Sequence, residues 1–293
     1  MYKKMLVLLD GSKLAEVVFN YAQELAGRLN LCLKLLQVVD PRDEDQLPMR
    51  QAYIETMAKI LQNKADQIRS KSGLKAKCET ARGSIVVGYP AEEILKYIDE
   101  NKVDLLMLST HGKSGIKRWN IGSVASQVIH AAKIPIWIVP SELNEAAVYD
   151  KMPKRTIVVP LNRDQISEGV IPYALSIAKQ RGAESEIVLL YVDKVSVAKN
   201  STQLKRINEE REAIQKYLDD IAKQIKDSGI SARSEILVGE DHAYQIINYV
   251  KNNPTQLLAM AAPRAGLSKM VYGSVTEDIL QMIKKTPLLL IPR

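Results

Sequence analysis

The 293-residue chain is poor in cysteine and lacks long apolar runs, and both shortages exclude classes of protein. Its two cysteines, Cys32 and Cys78, fall on different predicted strands. This sparse use fits a reducing compartment, so we expect a cytoplasmic protein without a structural disulfide. No apolar run approaches the roughly 20 residues of a membrane span, and the opening MYKKMLVLLDGS is predicted to be a first strand rather than a signal peptide.

Aromatic residues are also scarce, since a single Phe occurs in the chain. The net charge of +7 comes from basic residues that alternate with Glu and Asp on helical patterns such as residues 203–226. Proteins that bind single-stranded nucleic acid combine a basic stripe with aromatic stacking residues. The composition therefore argues against nucleic acid and leaves a mild preference for anionic ligands such as nucleotides.

Several catalytic and metal-binding motifs are missing. Gly112-Lys113-Ser114 looks like the end of a P-loop, but Met107 stands where that motif needs a glycine. The segment after the first strand has only Gly11, so the dinucleotide fingerprint is absent too. HExxH, CxxC and clustered His and Cys do not occur. We therefore predict no metal site made by protein ligands and assign no catalytic residue.

What the chain does have is an internal repeat. KKMLVLLDGS matches KRTIVVPLNR, LCLKLLQVVD matches SEIVLLYVDK, VGYPAEEILKYI matches VGEDHAYQIINYV, and KIPIWIVP matches KTPLLLIP. Gly122-Ser123 and Gly273-Ser274 lie 151 residues apart. The sequence therefore predicts two domains, residues 1–140 and 154–293, joined by a polar linker at 141–153.

Each half alternates short apolar runs with longer helical patterns. In the first half, the strands are predicted near Met5–Leu9, Leu31–Val39, Ala76–Ala81, Leu105–Ser109 and Ile136–Val139, with the polar third strand at an edge. Helices are expected from Ser12, over Leu47 to Ser72, from Ala91 and after Ser123. The prediction is an α/β fold of two tandem doubly wound domains, each a five-stranded parallel sheet with helices on both faces.

The segment LLMLSTHGKSGIKRWNIGSV, from Leu105 to Val124, carries the main ligand signal. It reads as a buried strand, a loop of small residues and a Gly-Ser step into a helix. Glycines let backbone N–H groups approach a phosphate, and a helix N-terminus favours anions. In doubly wound folds, ligands bind at the carboxyl ends of the strands, where Asp10, Val38 and Ser109 fall.

These motifs together resemble the universal stress protein family. The resemblance rests on Asp10-Gly11-Ser12, on VVD at the end of strand two, and on Ser109-x-x-Gly112 with nine residues before Gly122-Ser123. Its nucleotide-binding branch has glycine where this chain has Ser109. The resemblance covers both halves and implies a tandem protein with an adenine nucleotide alpha hydrolase-like fold.

The resemblance also implies a site in the first half for ATP, ADP or AMP, with Mg²⁺ carried by the nucleotide. Asp10 would bind the ribose or adenine side, and the backbone near Val38 would bind adenine. Gly122, Ser123 and Val124 would hold the phosphates. The full set of implied binding residues is Asp10, Gly11, Ser12, Val38, Leu108, Ser109, His111, Gly112, Gly122, Ser123 and Val124.

A structural role without any ligand could also explain several of these residues. Asp10 could cap the first helix, Ser123 is a plausible N-cap, and Gly122 could serve close packing alone. His111 has no evident nucleophile or carboxylate partner, and it is expected to position the loop. The joint spacing, rather than any one residue, favours nucleotide binding.

The second half is expected to be a structural partner with a degenerate site. Leu161 replaces Asp10, and Pro263 or Arg264 replaces Gly112. Ser274-Val-Thr-Glu277 reads as a capping box. Because Gly273-Ser274 survives, an altered site stays open.

The sequence thus predicts a stress-response protein regulated by an adenine nucleotide, acting on an unidentified protein partner. The resemblance implies that the two fifth strands pair as an intramolecular pseudo-dimer, and a homodimer of the chain stays open. The alternatives are a nucleotide-independent scaffold and a slow ATPase.

Overall fold

The computed structural model describes residues 2–12, 15–75, 80–110, 121–140, 142, 152, 154–182, 184–262, 264–265 and 271–292. Their strands are β1 Lys4–Leu9, β2 Cys32–Val39, β3 Arg82–Val87, β4 Leu105–Ser109, β5 Ile136–Val139, β6 Arg155–Pro160, β7 Ser185–Asp193, β8 Ser231–Val238, β9 Leu257–Ala262, β10 Arg264–Ala265, β11 Val271–Tyr272 and β12 Leu288–Pro292. Their α-helices are α1 Val18–Arg28, α2 Leu47–Lys71, α3 Pro90–Glu100, α4 Ser123–Ala131, α5 Gln165–Glu168, α6 Ile171–Arg181, α7 Ser201–Asp227, α8 His242–Asn252 and α9 Ser274–Met282. Short 3-10 helices lie at Ala15–Val17 and Pro41–Gln46.

Ten strands form one sheet in the order β3-β2-β1-β4-β5-β12-β9-β6-β7-β8. Within each half, neighbouring strands run parallel, and the first-half order is repeated in the second half in mirror sequence. Val, Leu and Ile fill these strands because both faces of a parallel sheet are buried. The predicted α/β fold, with two five-stranded parallel units, is confirmed.

The two halves meet where β5 and β12 pair antiparallel. Leu289 lies opposite Trp137, and Leu288 lies opposite Ile138. We call this junction the seam. Apolar cores cover both faces of the sheet and cross the seam, with Trp137 and Leu289 in one and Ile138 and Leu288 in the other. The seam is therefore buried from both sides.

Helices cover both faces. The long helices α2 and α7 bury residues in the same core, and each is tied to the start of its own half by one tyrosine. Tyr53 donates to Glu16 Oε1 at 2.5 Å, and Tyr217 donates to Glu168 Oε1 at 2.9 Å. No helix among the described residues combines the length and the apolar character that crossing a bilayer requires.

The third strand, β3, runs over Arg82–Val87 and lies at the sheet edge as predicted. Of the range predicted for it, Ala76–Ala81, Thr80 and Ala81 are not in a strand, and residues 76–79 lie outside the described residues. Gly83 lies inside the strand, and α2 passes directly over it. A Cβ there would come within 2.7 Å of the Ile54 carbonyl oxygen, so the close approach requires glycine.

Cys32 corrects a second expectation, because it is disulfide-bonded. Its strand β2 pairs with β3 through Lys34 and Arg82, so Cys32 lies beside the chain that leads into β3. The register of these parallel strands, which composition does not disclose, sets this proximity. The other cysteine of the chain, Cys78, lies outside the described residues.

Candidate functional site at the carboxyl ends of the first-half strands

The turn after β1 is held by Asp10. Its Oδ1 accepts a hydrogen bond from Ser12 N at 2.9 Å, and Gly11 between them has φ +79°. Only glycine adopts such a φ without strain. Ser12 then caps the 3-10 helix, since its Oγ accepts from Ala15 N at 3.2 Å. Asp10 thus holds the turn after β1, and Ser12 caps the 3-10 helix that follows it.

The end of β2 contributes Val38 and a buried amide. Gln37 is 1% exposed, and its Oε1 has no hydrogen-bond partner among the described residues. Its Nε2 would lie 3.2 Å from a Cβ at Gly11. Sequence analysis missed Gln37, although a lone glutamine in an apolar strand was the available signal.

Just beyond β2, Asp40 carries its negative charge next to a cation. The Arg42 guanidinium donates to Asp40 Oδ1 and Oδ2, each at 2.8 Å. These hydrogen bonds, with one from the Arg42 backbone, hold the pKa of Asp40 well below its usual range. The Arg42 guanidinium therefore balances the negative charge of Asp40 just after the end of β2.

The end of β4 is joined to the start of α4. Gly122 N donates to Thr110 O at 2.9 Å, and Thr110 N donates to Val139 O at 3.0 Å. Leu108 and Ser109 are buried just before this junction, 2% and 8% exposed. The junction therefore fixes the first turn of α4 against the ends of β4 and β5.

The start of α4 has no side-chain cap. Gly122 is the N-cap with φ −67° and ψ 154°, and Ser123 is the first helical residue, so the prediction of Ser123 as N-cap was wrong. Ser123 and Val124 are exposed. The first N–H groups of a helix have no partner inside it, so this end can receive an anion.

These groups meet where the strand order switches. From β1, the chain goes outward to β2 and β3 on one side and to β4 and β5 on the other. The structure thus brings Asp10, Gly11, Ser12, Val38, Leu108, Ser109, Gly122, Ser123 and Val124 to one edge of the sheet. This switch point is where open α/β sheets bind ligands. His111 and Gly112 lie outside the described residues, and in the described part of the chain no three His, Cys, Asp or Glu side chains form a metal-binding group.

The second half repeats the helix start without the acidic turn. Gly273 is the N-cap of α9, again without a side-chain cap, with φ −64° and ψ 153°. Leu161, which occupies the position of Asp10, is 5% exposed. The predicted capping box is absent, because Glu277 Oε1 accepts from Tyr272 N at 3.1 Å, one residue before the N-cap.

Glu277 instead reaches across to the first half. His130 Nε2, in the last turn of α4, lies 2.7 Å from Glu277 Oε1. The His130 ring stacks on Tyr272 with centroids 5.3 Å apart, and Tyr272 donates to Ile129 O at 2.6 Å. We call these three residues, His130, Tyr272 and Glu277, the inter-half clamp. It was not predicted, since its partners lie more than 140 residues apart.

Comparison with known proteins adds the following. The universal stress protein family model matches residues 1–140 and 154–292. Universal stress protein MJ0531 of Methanocaldococcus jannaschii is 28% identical over 152 residues, covering 50% of this chain and 86% of the relative. Universal stress protein MJ0577 of the same organism is also 28% identical, over 154 residues, covering 47% and 95%.

A solved structure has the same fold over the whole chain. The crystal structure of a universal stress protein from Archaeoglobus fulgidus superposes with a TM-score of 0.65 over 99% of this chain and 98% of its own, at 18% identity. Together with the double match of the family model, the repeated strand order identifies the chain as a tandem, two-domain member of the universal stress protein family.

Proposed function

We propose that the first half binds an adenine nucleotide, ATP, ADP or AMP, as a regulatory ligand of a stress-response protein. One observation carries the proposal. The acidic turn of Asp10 follows β1, and β1 pairs with β4, whose end is bonded to the uncapped start of α4 through Thr110 O and Gly122 N. The helix amides suit a phosphate, and the carboxylate suits the hydroxyl donors of a ribose.

The residues at this edge fit such a ligand. Gly122 presents its backbone without a side chain, and Val38 gives an apolar wall for a base. Mg²⁺ would be carried by the phosphates, as this ion prefers few protein ligands and several waters. Its chemistry would be to neutralise phosphate charge.

The same helix suggests how the ligand regulates. The start of α4 faces the nucleotide site, and its last turn holds His130 of the inter-half clamp. A nucleotide that binds one arrangement of the two halves better than another shifts the population towards it. Partner binding or self-association would then follow nucleotide occupancy.

The test is calorimetric titration of nucleotide-stripped protein with ATP and with AMP, with Mg²⁺ present. We expect one site per chain. Gly122→Val should weaken binding at least tenfold, because a side chain enters the phosphate position while the negative φ of Gly122 tolerates it. Gly273→Val is the matched control, since it makes the same change in the other half and should leave nucleotide affinity unchanged.

Asp10→Asn separates charge from turn geometry, because asparagine keeps an oxygen acceptor for Ser12 N. Weaker nucleotide binding with unchanged thermal stability supports a ligand role for the carboxylate. No binding by the folded wild-type protein would overturn the proposal in favour of a nucleotide-independent scaffold. Phosphate release above the Gly122→Val background would make the protein a slow ATPase.

A further inference from the structure

A cavity of about 280 Å³ lies in the second half, at the carboxyl ends of β6, β7 and β9 and under the start of α9. Its wall is mostly apolar, with Leu161, Ile166, Leu190, Ile246 and Met260 among the lining residues. This volume is just below the roughly 300–1,000 Å³ of small-molecule sites. The second half, expected to be a structural partner with a degenerate site, therefore has a cavity close to the size of a small-molecule site.

The cavity differs from the first-half site at the position that follows the first strand of each half. Leu161 replaces the carboxylate of Asp10, so the corresponding position offers no acceptor for ribose hydroxyls. After β9 the chain pairs Arg264 with Tyr272 in the short β10–β11 ribbon. This pairing stands where the first half has its Gly112 segment in sequence. The ligand here should differ from that of the first half.

Several polar side chains line the cavity: Asn162, Asp164, Ser167, Tyr191, His242, Ser274 and Thr276. On the α5 side, the Asp164 carboxylate accepts from Ser167 N at 2.6 Å and from Asn162 Nδ2 at 3.0 Å. Burial by itself would raise the pKa of Asp164, but hydrogen bonds from Ser167, Asn162 and Ile166 lower it on balance. This carboxylate is ionised and already bonded within the protein.

On the α9 side, Thr276 is 3% exposed and lines the cavity, yet its hydroxyl has no hydrogen-bond partner among the described residues. Gly273 lies beside it as an N-cap without a side-chain cap. A Cβ at Gly273 would meet no atom within 4 Å, so the helix start borders open space. Backbone donors, a hydroxyl and the positive end of the helix dipole thus converge on one apolar cavity.

We propose that this cavity binds a small apolar monocarboxylate. Its hydrocarbon body would pack on Leu161, Ile246 and Met260, and its carboxylate would accept from Thr276 Oγ1 and the first amides of α9. The carboxylate of such a ligand would accept a hydrogen bond from the buried hydroxyl, and its hydrocarbon body would cover the apolar wall of the cavity. A nucleoside phosphate would leave its ribose hydroxyls against leucine.

The test uses octanoate as the probe and octanol as its uncharged counterpart, by calorimetric titration of the full chain. We expect one octanoate site per chain, with octanol about tenfold weaker because a charge-assisted hydrogen bond is lost. AMP should not displace octanoate. Gly122→Val, in the other half, should leave octanoate affinity unchanged.

Two variants locate the ligand. Thr276→Val keeps the side-chain shape and should weaken octanoate about tenfold while leaving octanol unaffected, and Thr276→Ser should restore binding. Gly273→Leu puts a side chain into the open space and should abolish binding of both probes. Thermal denaturation of each variant verifies that it is folded.

The inference is overturned if folded wild-type protein binds no octanoate, or if Thr276→Val and Gly273→Leu bind it normally. A second AMP site that Gly273→Leu removes would also overturn it, since the cavity would then be a nucleotide site. None of these outcomes touches the first-half proposal, which depends on Gly122 and Asp10.

Discussion

The two halves of the molecule have the same strand order and almost the same helix starts, but different side chains around them. α4 begins at Gly122 with φ −67° and ψ 154°, and α9 begins at Gly273 with φ −64° and ψ 153°. Next to these starts stand Asp10 in one half and Leu161 in the other. The backbone that can receive an anion is therefore a property of the fold.

The difference between Asp10 and Leu161 indicates that the residue after the first strand of each half determines which ligand binds. Continuous apolar strands and the strand order maintain the sheet, and they leave the residue after β1 free to vary. A carboxylate at that position offers acceptors to sugar hydroxyls, whereas leucine offers only apolar surface. One substitution at a shared edge can thus redirect a duplicated site to another class of molecule.

The largest expected effect is at the seam, which makes the two halves one unit. Ile138→Asp places an uncompensated charge opposite Leu288 in a fully buried strand, and it should destabilise the protein by about 3–5 kcal/mol. Urea denaturation should then lose its single transition, as the halves unfold separately. Ile138→Val is the control, with an expected cost of about 1 kcal/mol. A single transition retained by Ile138→Asp would overturn the idea that the seam makes the two halves one unit.

Exchanging the residue that distinguishes the halves tests the comparison directly. Asp10→Leu gives the first half the residue of the second, and it should weaken AMP binding by about tenfold to a hundredfold. Calorimetric titration measures the loss. The converse change, Leu161→Asp, should leave AMP affinity at the first site unaltered. Equal AMP binding by Asp10→Leu and wild type would mean that this position does not decide the ligand.

The inter-half clamp should contribute about 1 kcal/mol of coupling between α4 and α9. The His130 and Glu277 side chains are only partly exposed, 21% and 27%, so solvent competes incompletely with the hydrogen bond between them. A double-mutant cycle of His130→Ala and Glu277→Ala, followed by chemical denaturation, measures the coupling. The positions matched to these residues in the repeat are Gln281 and Ser126, so the clamp is not duplicated. A coupling energy of zero would remove the proposed link between the two sites.

The smallest expected effect is common to both halves and appears in alkali. Burial, and then a hydrogen bond to Glu16 or Glu168, raises the pKa of Tyr53 and of Tyr217 above the usual value of about 10. Their contribution to stability is present below about pH 10, and it is lost as the pH rises through the higher folded-state values. Tyr53→Phe and Tyr217→Phe should each flatten this loss by a similar amount, as followed by melting temperature between pH 8 and 11. A difference between the two variants would show that the ties are not equivalent.

Much of the fold was accessible from the sequence because the strong signals were local. β4 and β5 were predicted with the bounds that the structure has, since continuous runs of Leu, Ile and Val are buried on both faces. β3 was not, because the alternating residues AKCETA were taken as the strand, whereas the described strand begins at Arg82 and includes Gly83. Only the passage of α2 over Gly83 explains that glycine, and sequence spacing does not reveal such a contact.

The candidate site was predictable in part for the same reason. The carboxyl-end positions of Asp10 and Gly122 follow from where strands end, so spacing could locate them. The buried amide of Gln37, the clamp and the second-half cavity could not be located in that way. Each depends on side chains from distant elements, and the cavity is lined by residues that read simply as core.

Because β5 and β12 run in opposite directions, the carboxyl edges of the two halves point to opposite ends of the sheet. A molecule bound at one end can never crowd a molecule bound at the other. A partner protein bound at one end of the sheet likewise leaves the other end accessible, so a ligand there can still exchange with solvent. The two proposed sites therefore open at opposite ends of the sheet. Helix α4 starts at the first of them, and His130 in its last turn contacts Glu277 of α9, the helix that starts at the second.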